Sequence, residues 1–126
     1  MDLTVTNIEP SLKWWTEVLG FRLVATFERP GYKGWSLWHP CGVPIGLMVH
    51  DHTTRDRFDE RAVGLDHFAL NVRDRAALKE WVAYLDSLGI PHSGIKEENG
   101  GPLLTLRDPD NIQVELWAWD PDLVVL

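Results

Sequence analysis

Leu106-Arg107-Asp108-Pro109-Asp110-Asn111-Ile112-Gln113-Val114-Glu115-Leu116-Trp117 falls without a gap on Leu37-Trp38-His39-Pro40-Cys41-Gly42-Val43-Pro44-Ile45-Gly46-Leu47-Met48 when the chain is shifted by 69 residues, Gly46 onto Glu115. The same shift places Leu19-Gly20-Phe21 on Leu88-Gly89-Ile90. Nearer the start the shift becomes 67, so that Leu3-Thr4-Val5 meets Leu70-Asn71-Val72. The chain is therefore written twice, as two copies of one supersecondary unit. Only the second copy carries His67 near its beginning and Glu115 near its end, two side chains of the metal-ligating type; the first has Gly46 at the position of Glu115 and begins one residue too late to supply the His.

Each copy reads as a strand, a helix and three strands. In the first, Leu3 to Thr6 is a short strand and Asn7 a helix cap; Leu12, Trp15, Thr16 and Leu19 share one helical face, which stops at Gly20. Strands are predicted over 21–28 and 34–38, and the turn His39-Pro40-Cys41-Gly42 leads into a third over 44–50. The second copy repeats this with a strand over 65–72, a helix over 75–88 bearing Leu78, Trp81, Val82 and Leu85 on one face, and strands near 92–96, 103–107 and 112–119. Asp108-Pro109-Asp110-Asn111 is a hairpin turn, which accounts for its acidity without a calcium site. The expected organisation is one domain over residues 1–126: a first module at about 1–50, a charged linker without periodicity at about 51–63 that is the segment expected to flex, a second module at about 64–119, and a C-terminal tail at 120–126 that is apolar over 123–126.

Composition narrows the partners. A net charge of −7, spread along the chain, disfavours nucleic acid or an anionic membrane surface. No apolar run is long enough to span a bilayer, and the start Met1-Asp2-Leu3-Thr4 is not a signal peptide. Cys41 is the only cysteine, so no intramolecular disulfide calls for an oxidising compartment, and the cytoplasm is the expected location. No glycine-rich phosphate loop, cysteine pair or nucleophile elbow is present.

The unusual feature of the composition is seven tryptophans, each read first as core or interface filler. Trp117 is the best candidate for a pocket wall, since alternation puts it on the strand face of Glu115. Of the other histidines, His50 shares strand parity with Gly46 and Met48, but four residues of strand put it about 13 Å from Gly46, too far to take over a ligand's role there. His39 in its turn, His52 in the linker and His92 after a helix are expected at the surface.

Two βαβββ copies, the run Gly64-Leu65-Asp66-His67-Phe68-Ala69-Leu70-Asn71-Val72 opening the second copy and Arg107-Asp108-Pro109-Asp110-Asn111-Ile112-Gln113-Val114-Glu115-Leu116 closing it resemble the vicinal oxygen chelate superfamily, which includes glyoxalase I, bleomycin-binding resistance proteins, fosfomycin-modifying transferases and extradiol dioxygenases. The resemblance covers nearly the whole chain. It implies an α+β fold of two βαβββ modules forming paired, curved, antiparallel-rich sheets. It also implies a small-molecule site in their concavity, in which a divalent ion (Fe, Mn, Ni or Zn) leaves positions open for a substrate's adjacent oxygens.

By that resemblance His67 and Glu115 match two metal-ligand positions, and Glu115 doubles as a proton-transferring catalytic residue. The other two positions fall at Gly46, which has no side chain to offer, and one residue before Met1. A His there would complete a triad of two His and one carboxylate; the alternatives are an upstream start, a substituting side chain or an abandoned site. As the chain stands the metal would be weakly held. Gly46, Met48, His50, Asn71 and Trp117 are the expected substrate-pocket residues, and a homodimer is expected, with Trp14, Trp15 and the tail offering apolar surface. Two functional classes follow: a metal-dependent enzyme of the lyase or dioxygenase type, and a metal-free protein that binds an antibiotic or aromatic metabolite in a tryptophan-walled cup.

Overall fold

In a computed structural model, residues 1–54 and 56–119 are described, and the apolar tail lies outside them. The elements are β1 (Asp2–Thr4), α1 (Ile8–Glu17), β2 (Arg22–Arg29), β3 (Tyr32–Trp38), β4 (Pro44–His50), β5 (Phe68–Asn71), α2 (Arg75–Ser87), β6 (His92–Glu98), β7 (Gly101–Arg107) and β8 (Gln113–Trp117). The βαβββ order occurs twice, as expected. His67 stands one residue before β5 rather than inside it, and the segment 51–63 contributes no helix or strand among its described residues.

Two compact units divide the chain: Met1–Phe58 together with Asp108–Asn111, and Asp59–Arg107 together with Ile112 onward. The first holds a four-stranded sheet in the order β1-β4-β3-β2, the second one in the order β5-β8-β7-β6. In each, the outer strand pairs in parallel with the last and the remaining pairs are antiparallel. The registers bear out both shifts of the repeat: Asp2 pairs with Gly46 as Ala69 pairs with Glu115, and Trp38 pairs with Pro44 as Arg107 pairs with Gln113.

In the first unit, Asn7 caps α1 by accepting the Glu9 N–H, and Gly20 takes a left-handed φ of 78° just beyond its end. The buried face of this helix is Ser11, Trp14 and Trp15, continued by Val18 and Leu19 beyond its last turn; Trp15 and Leu19 of the expected face are thus buried, while Leu12 and Thr16 are half-buried and Ser11 and Trp14 lie in the core instead. Chemistry explains the difference. Ser11 is buried because its hydroxyl reaches Asp110, and the Trp15 indole N–H donates to Asp108 (3.3 Å). Trp14 and Trp15 are core residues, so the expectation that they offer apolar surface to a second chain is corrected.

The turn Asp108–Asn111, part of this unit, does more than reverse the chain. Asn111 adopts φ 70° to close it. Asp110 accepts from the Thr6 N–H (3.0 Å) and the Thr6 hydroxyl, and Asp108 accepts from the Asp110 N–H (2.9 Å). Both carboxylates are buried and satisfied by protein donors.

In the second unit, Asp74 caps α2 by accepting the Ala77 N–H (2.8 Å), and that bond together with Arg73 holds its carboxyl below the ordinary range. Leu78 and Leu85 are fully buried; Trp81 and Val82 are half-buried. Strand alternation turns Leu104, Leu106, Val114 and Leu116 into the core, which leaves Thr105, Gln113, Glu115 and Trp117 on the opposite face of the sheet. Among the described residues no helix is long and apolar enough to cross a membrane.

Candidate functional site

The face of the second sheet that turns away from the core carries a cleft of about 650 Å³, lined among others by Asp66, His67, Arg107, Gln113, Glu115 and Trp117. Glu115 is only 8% exposed, yet it is fully engaged. The Gln113 amide donates to its Oε1 (2.8 Å) and the Trp117 indole N–H donates to its Oε2 (2.7 Å). His67 approaches from the loop before β5, with Nε2 3.5 Å from Glu115 Oε2. Its Nδ1 lies 2.7 Å from Asp66 Oδ1. An ionised carboxylate only accepts, so this contact puts a ring proton on Nδ1 and turns Nε2 toward Glu115.

Behind Glu115 the polar contacts continue. Arg107 Nη2 donates to Gln113 Oε1 (2.7 Å), while Nη2 and Nη1 together clasp Glu60 (2.8 and 3.1 Å). The bonds from Arg107 pull the Glu60 carboxyl down to about 2, and the same bonds raise the Arg107 pKa. This fork-to-fork pair stays charged throughout the range in which proteins are handled.

A smaller hollow of about 290 Å³ adjoins His67 and is walled by Ala69, Leu70, Asn71, Trp117 and Trp119. Trp117 and Trp119 meet edge to face, with centroids 5.4 Å apart. Trp117 thus serves both spaces, offering its N–H to Glu115 and its ring to the hollow.

Among the expected site residues, His67, Glu115, Asn71 and Trp117 converge in the second unit. Gly46, Met48 and His50 lie on the corresponding face of the first unit. There Met48 and Asp2 occupy the space over Gly46, where an added Cβ would meet Met48 Cε at 2.7 Å, and His50 stacks on Tyr32 at 5.3 Å. His92 is not the surface residue expected: its side chain is 11% exposed, holds Asp86 (2.7 Å) and accepts the Gly94 N–H, and it lines the main cleft. Sequence reasoning missed Asp66, Glu60, Arg107 and Gln113. The signal for two of them was present, since Arg107 and Gln113 flank the hairpin turn as direct cross-strand partners and Gln113 shares parity with Glu115.

The residues fit half of a metal shell. Two donors each about 2.1 Å from one ion, at a near-tetrahedral angle, stand about 3.4 Å apart, close to the observed 3.5 Å between His67 Nε2 and Glu115 Oε2. Asp66 on the far ring nitrogen is the carboxylate partner a ligating His takes. Among the described residues no group of three or more His, Cys, Asp or Glu is placed to hold a metal.

The sequence profile of the Glyoxalase/Bleomycin resistance protein/Dioxygenase superfamily matches residues 1–116. The chain belongs to that superfamily. The putative ring-cleaving dioxygenase MhqA of Bacillus subtilis (strain 168) is 29% identical over 99% of this chain and 40% of its own length, and the catechol-2,3-dioxygenase of the same organism is 29% identical over 94% and 40%. The chain thus spans about 40% of the length of these relatives. A glyoxalase/bleomycin resistance protein/dioxygenase domain from Frankia sp. EAN1pec has the same fold, with a TM-score of 0.86, 29% identity and coverage of 95% of this chain and 94% of that one. Membership of the superfamily leaves the reaction open, because function resides in the site and not in the fold.

Proposed function

We propose that this superfamily member is a divalent-metal-dependent enzyme of the dioxygenase type, acting on a small aromatic substrate that chelates through adjacent oxygens. The observation that carries the reading is the convergence of His67 Nε2 and Glu115 Oε2 at 3.5 Å, with Asp66 fixing the imidazole from behind. The ion, when bound, would supply Lewis-acid stabilisation of a substrate oxygen or activation of dioxygen. His67 and Glu115 would hold it, Trp117 and Trp119 would wall the substrate ring, and Asn71 would offer a polar contact at the rim of the hollow. The ring-cleaving and catechol dioxygenase names of the two Bacillus relatives support the substrate class. Two protein ligands leave most of the shell to water, substrate or a second copy of the chain, which makes resting affinity weak and gives a homodimer a functional reason.

A metal-free ligand-binding protein is the second reading. It is favoured by one observation: both Glu115 oxygens already accept an N–H, from Gln113 and Trp117. Manganese(II) titration followed by electron paramagnetic resonance separates the two. Under the enzyme reading the protein binds the ion weakly, and His67→Ala and Glu115→Gln each lower the affinity by at least about tenfold. Binding that is unchanged by both substitutions would leave only the second reading.

A further inference from the structure

We propose that Arg107 and Gln113 are positioning residues which, anchored by Glu60, fix the rotamer of Glu115 so that Oε2 is the oxygen presented to His67. This rests on the proposed role of Glu115 for its functional meaning, though not for its geometry.

The chemistry of the contacts leaves one arrangement. A glutamine amide has an accepting and a donating end, and nothing intrinsic tells it which way to turn. Arg107 can only donate, so the Gln113 oxygen must face Nη2, 2.7 Å away. The Gln113 NH2 is then directed at Glu115 Oε1, 2.8 Å away. Arg107 is itself held by the two-pronged pair with Glu60, in which each of its two terminal nitrogens donates to a different carboxylate oxygen. A carboxylate tied at Oε1 and bonded at Oε2 to Trp117 has no freedom to rotate about its terminal torsion.

The internal repeat supplies an independent control. The positions of Arg107, Gln113, Glu115 and Trp117 correspond in the first copy to Trp38, Pro44, Gly46 and Met48, at the same cross-strand registers. None of those four can build the chain of contacts. The ordering apparatus and the carboxylate it orders are present together in one copy and absent together in the other. An Arg107–Gln113 hydrogen bond that merely tied β7 to β8 would have no reason to follow Glu115 in this way.

The test uses 15N-labelled full chain without metal, with the Gln113 side-chain amide assigned through Gln113→Leu and the Trp117 indole N–H through Trp117→Phe. Arg107→Leu should move the Gln113 amide signals toward those of a mobile, solvated glutamine and shift the Trp117 indole signal, which reports the far oxygen of Glu115. Arg107→Lys keeps a donor and should restore both signals in part. In manganese(II) titrations of the same proteins Arg107→Leu should weaken binding about tenfold, and Arg107→Lys by less.

Gln113 and Trp117 signals unmoved by Arg107→Leu would overturn the proposal, whether or not manganese binds. Wild-type affinity no better than that of Glu115→Gln would defeat the metal reading instead, and the amide and indole signals would still decide the positioning role. Should Arg107→Leu not fold, Gln113→Met keeps the volume and removes the donor: a shifted Trp117 indole signal supports the proposal and an unmoved one refutes it.

Discussion

Substituting Glu115→Gln exchanges one carboxylate oxygen for an NH2, and the surrounding donors make that exchange hard to accommodate. If the new carbonyl oxygen stays under the Trp117 indole, the new NH2 faces the Gln113 NH2, where the oxygen–nitrogen distance was 2.8 Å. Turning Gln113 over relieves that clash only by setting its NH2 against Arg107 Nη2, where the present separation is 2.7 Å. One donor pair is therefore left facing itself. An unmatched donor in a buried site costs about 2 kcal/mol, and for a chain of 126 residues that lowers Tm by about 8 °C.

In an Arg107→Leu background Gln113 is free to turn, its oxygen meets the new amide, and the same Glu115→Gln step should cost about 0.5 kcal/mol or less. The desolvation of the Glu115 charge contributes to both backgrounds and cancels from the comparison, whereas its attraction to Arg107 adds to the coupling with the same sign. Urea unfolding of the four proteins should therefore show a coupling of about 1.5 kcal/mol, with Glu115→Gln better tolerated when Arg107 is gone. Additivity within about 0.5 kcal/mol would refute the donor-by-donor account of this network.

Other expectations follow from the same physics. The Glu60 carboxyl is held at about 2 against an ordinary 4.5 by Arg107, so its contribution to stability is complete above pH 4.5 and is lost as pH falls toward 2; Glu60→Gln should flatten acid unfolding in that window when followed by circular dichroism. Asp110→Ala strands the buried Ser11 hydroxyl and releases the exposed Thr6 donors to water, and should cost about 1 to 2 kcal/mol in denaturant unfolding. Gly34→Ala should cost about 1 to 3 kcal/mol, because its Cβ would run into the Phe27 ring, whereas Gly46→Ala should cost less than about 1 kcal/mol, because exposed Asp2 and the flexible end of Met48 can move aside.

Much of the fold was legible because the repeat constrains it twice. The Leu-Gly helix endings, the two hairpin turns and strand parity set the element order, and the observed registers reproduce the shifts of 67 and 69. What sequence reasoning misjudged depended on partners distant in the chain. Ser11 is polar and yet buried, since Asp110 lies 99 residues ahead to satisfy it. His92 is the exception, since its partner Asp86 is only six residues back, across the end of α2. At the site, two acid–base side chains could be picked out by type, whereas Arg107 and Glu60, ordinary surface charges in composition, acquire meaning only when they meet across 47 residues.

The two copies show how one backbone pattern accepts opposite chemistry. Burying Glu115 without donors would cost several kcal/mol, so the carboxylate cannot arise alone: it requires the Gln113 and Trp117 N–H groups, and Gln113 in turn requires Arg107 to orient it. The first copy takes the other solution. Its corresponding face folds Phe27 onto Gly34, lays Met48 over Gly46 and stacks Tyr32 on His50, a surface in which a buried carboxylate would find neither the glutamine amide nor the indole N–H at the corresponding positions. Installing Gly46→Glu alone should therefore not recreate a site. The new carboxyl would have no glutamine or indole beside it, because Pro44 and Met48 stand at those positions, so it would displace Asp2 toward solvent and remain mobile. A sharply ordered glutamate side chain in a crystal structure of the Gly46→Glu variant would contradict the view that the supporting donors, more than the carboxylate itself, make the site.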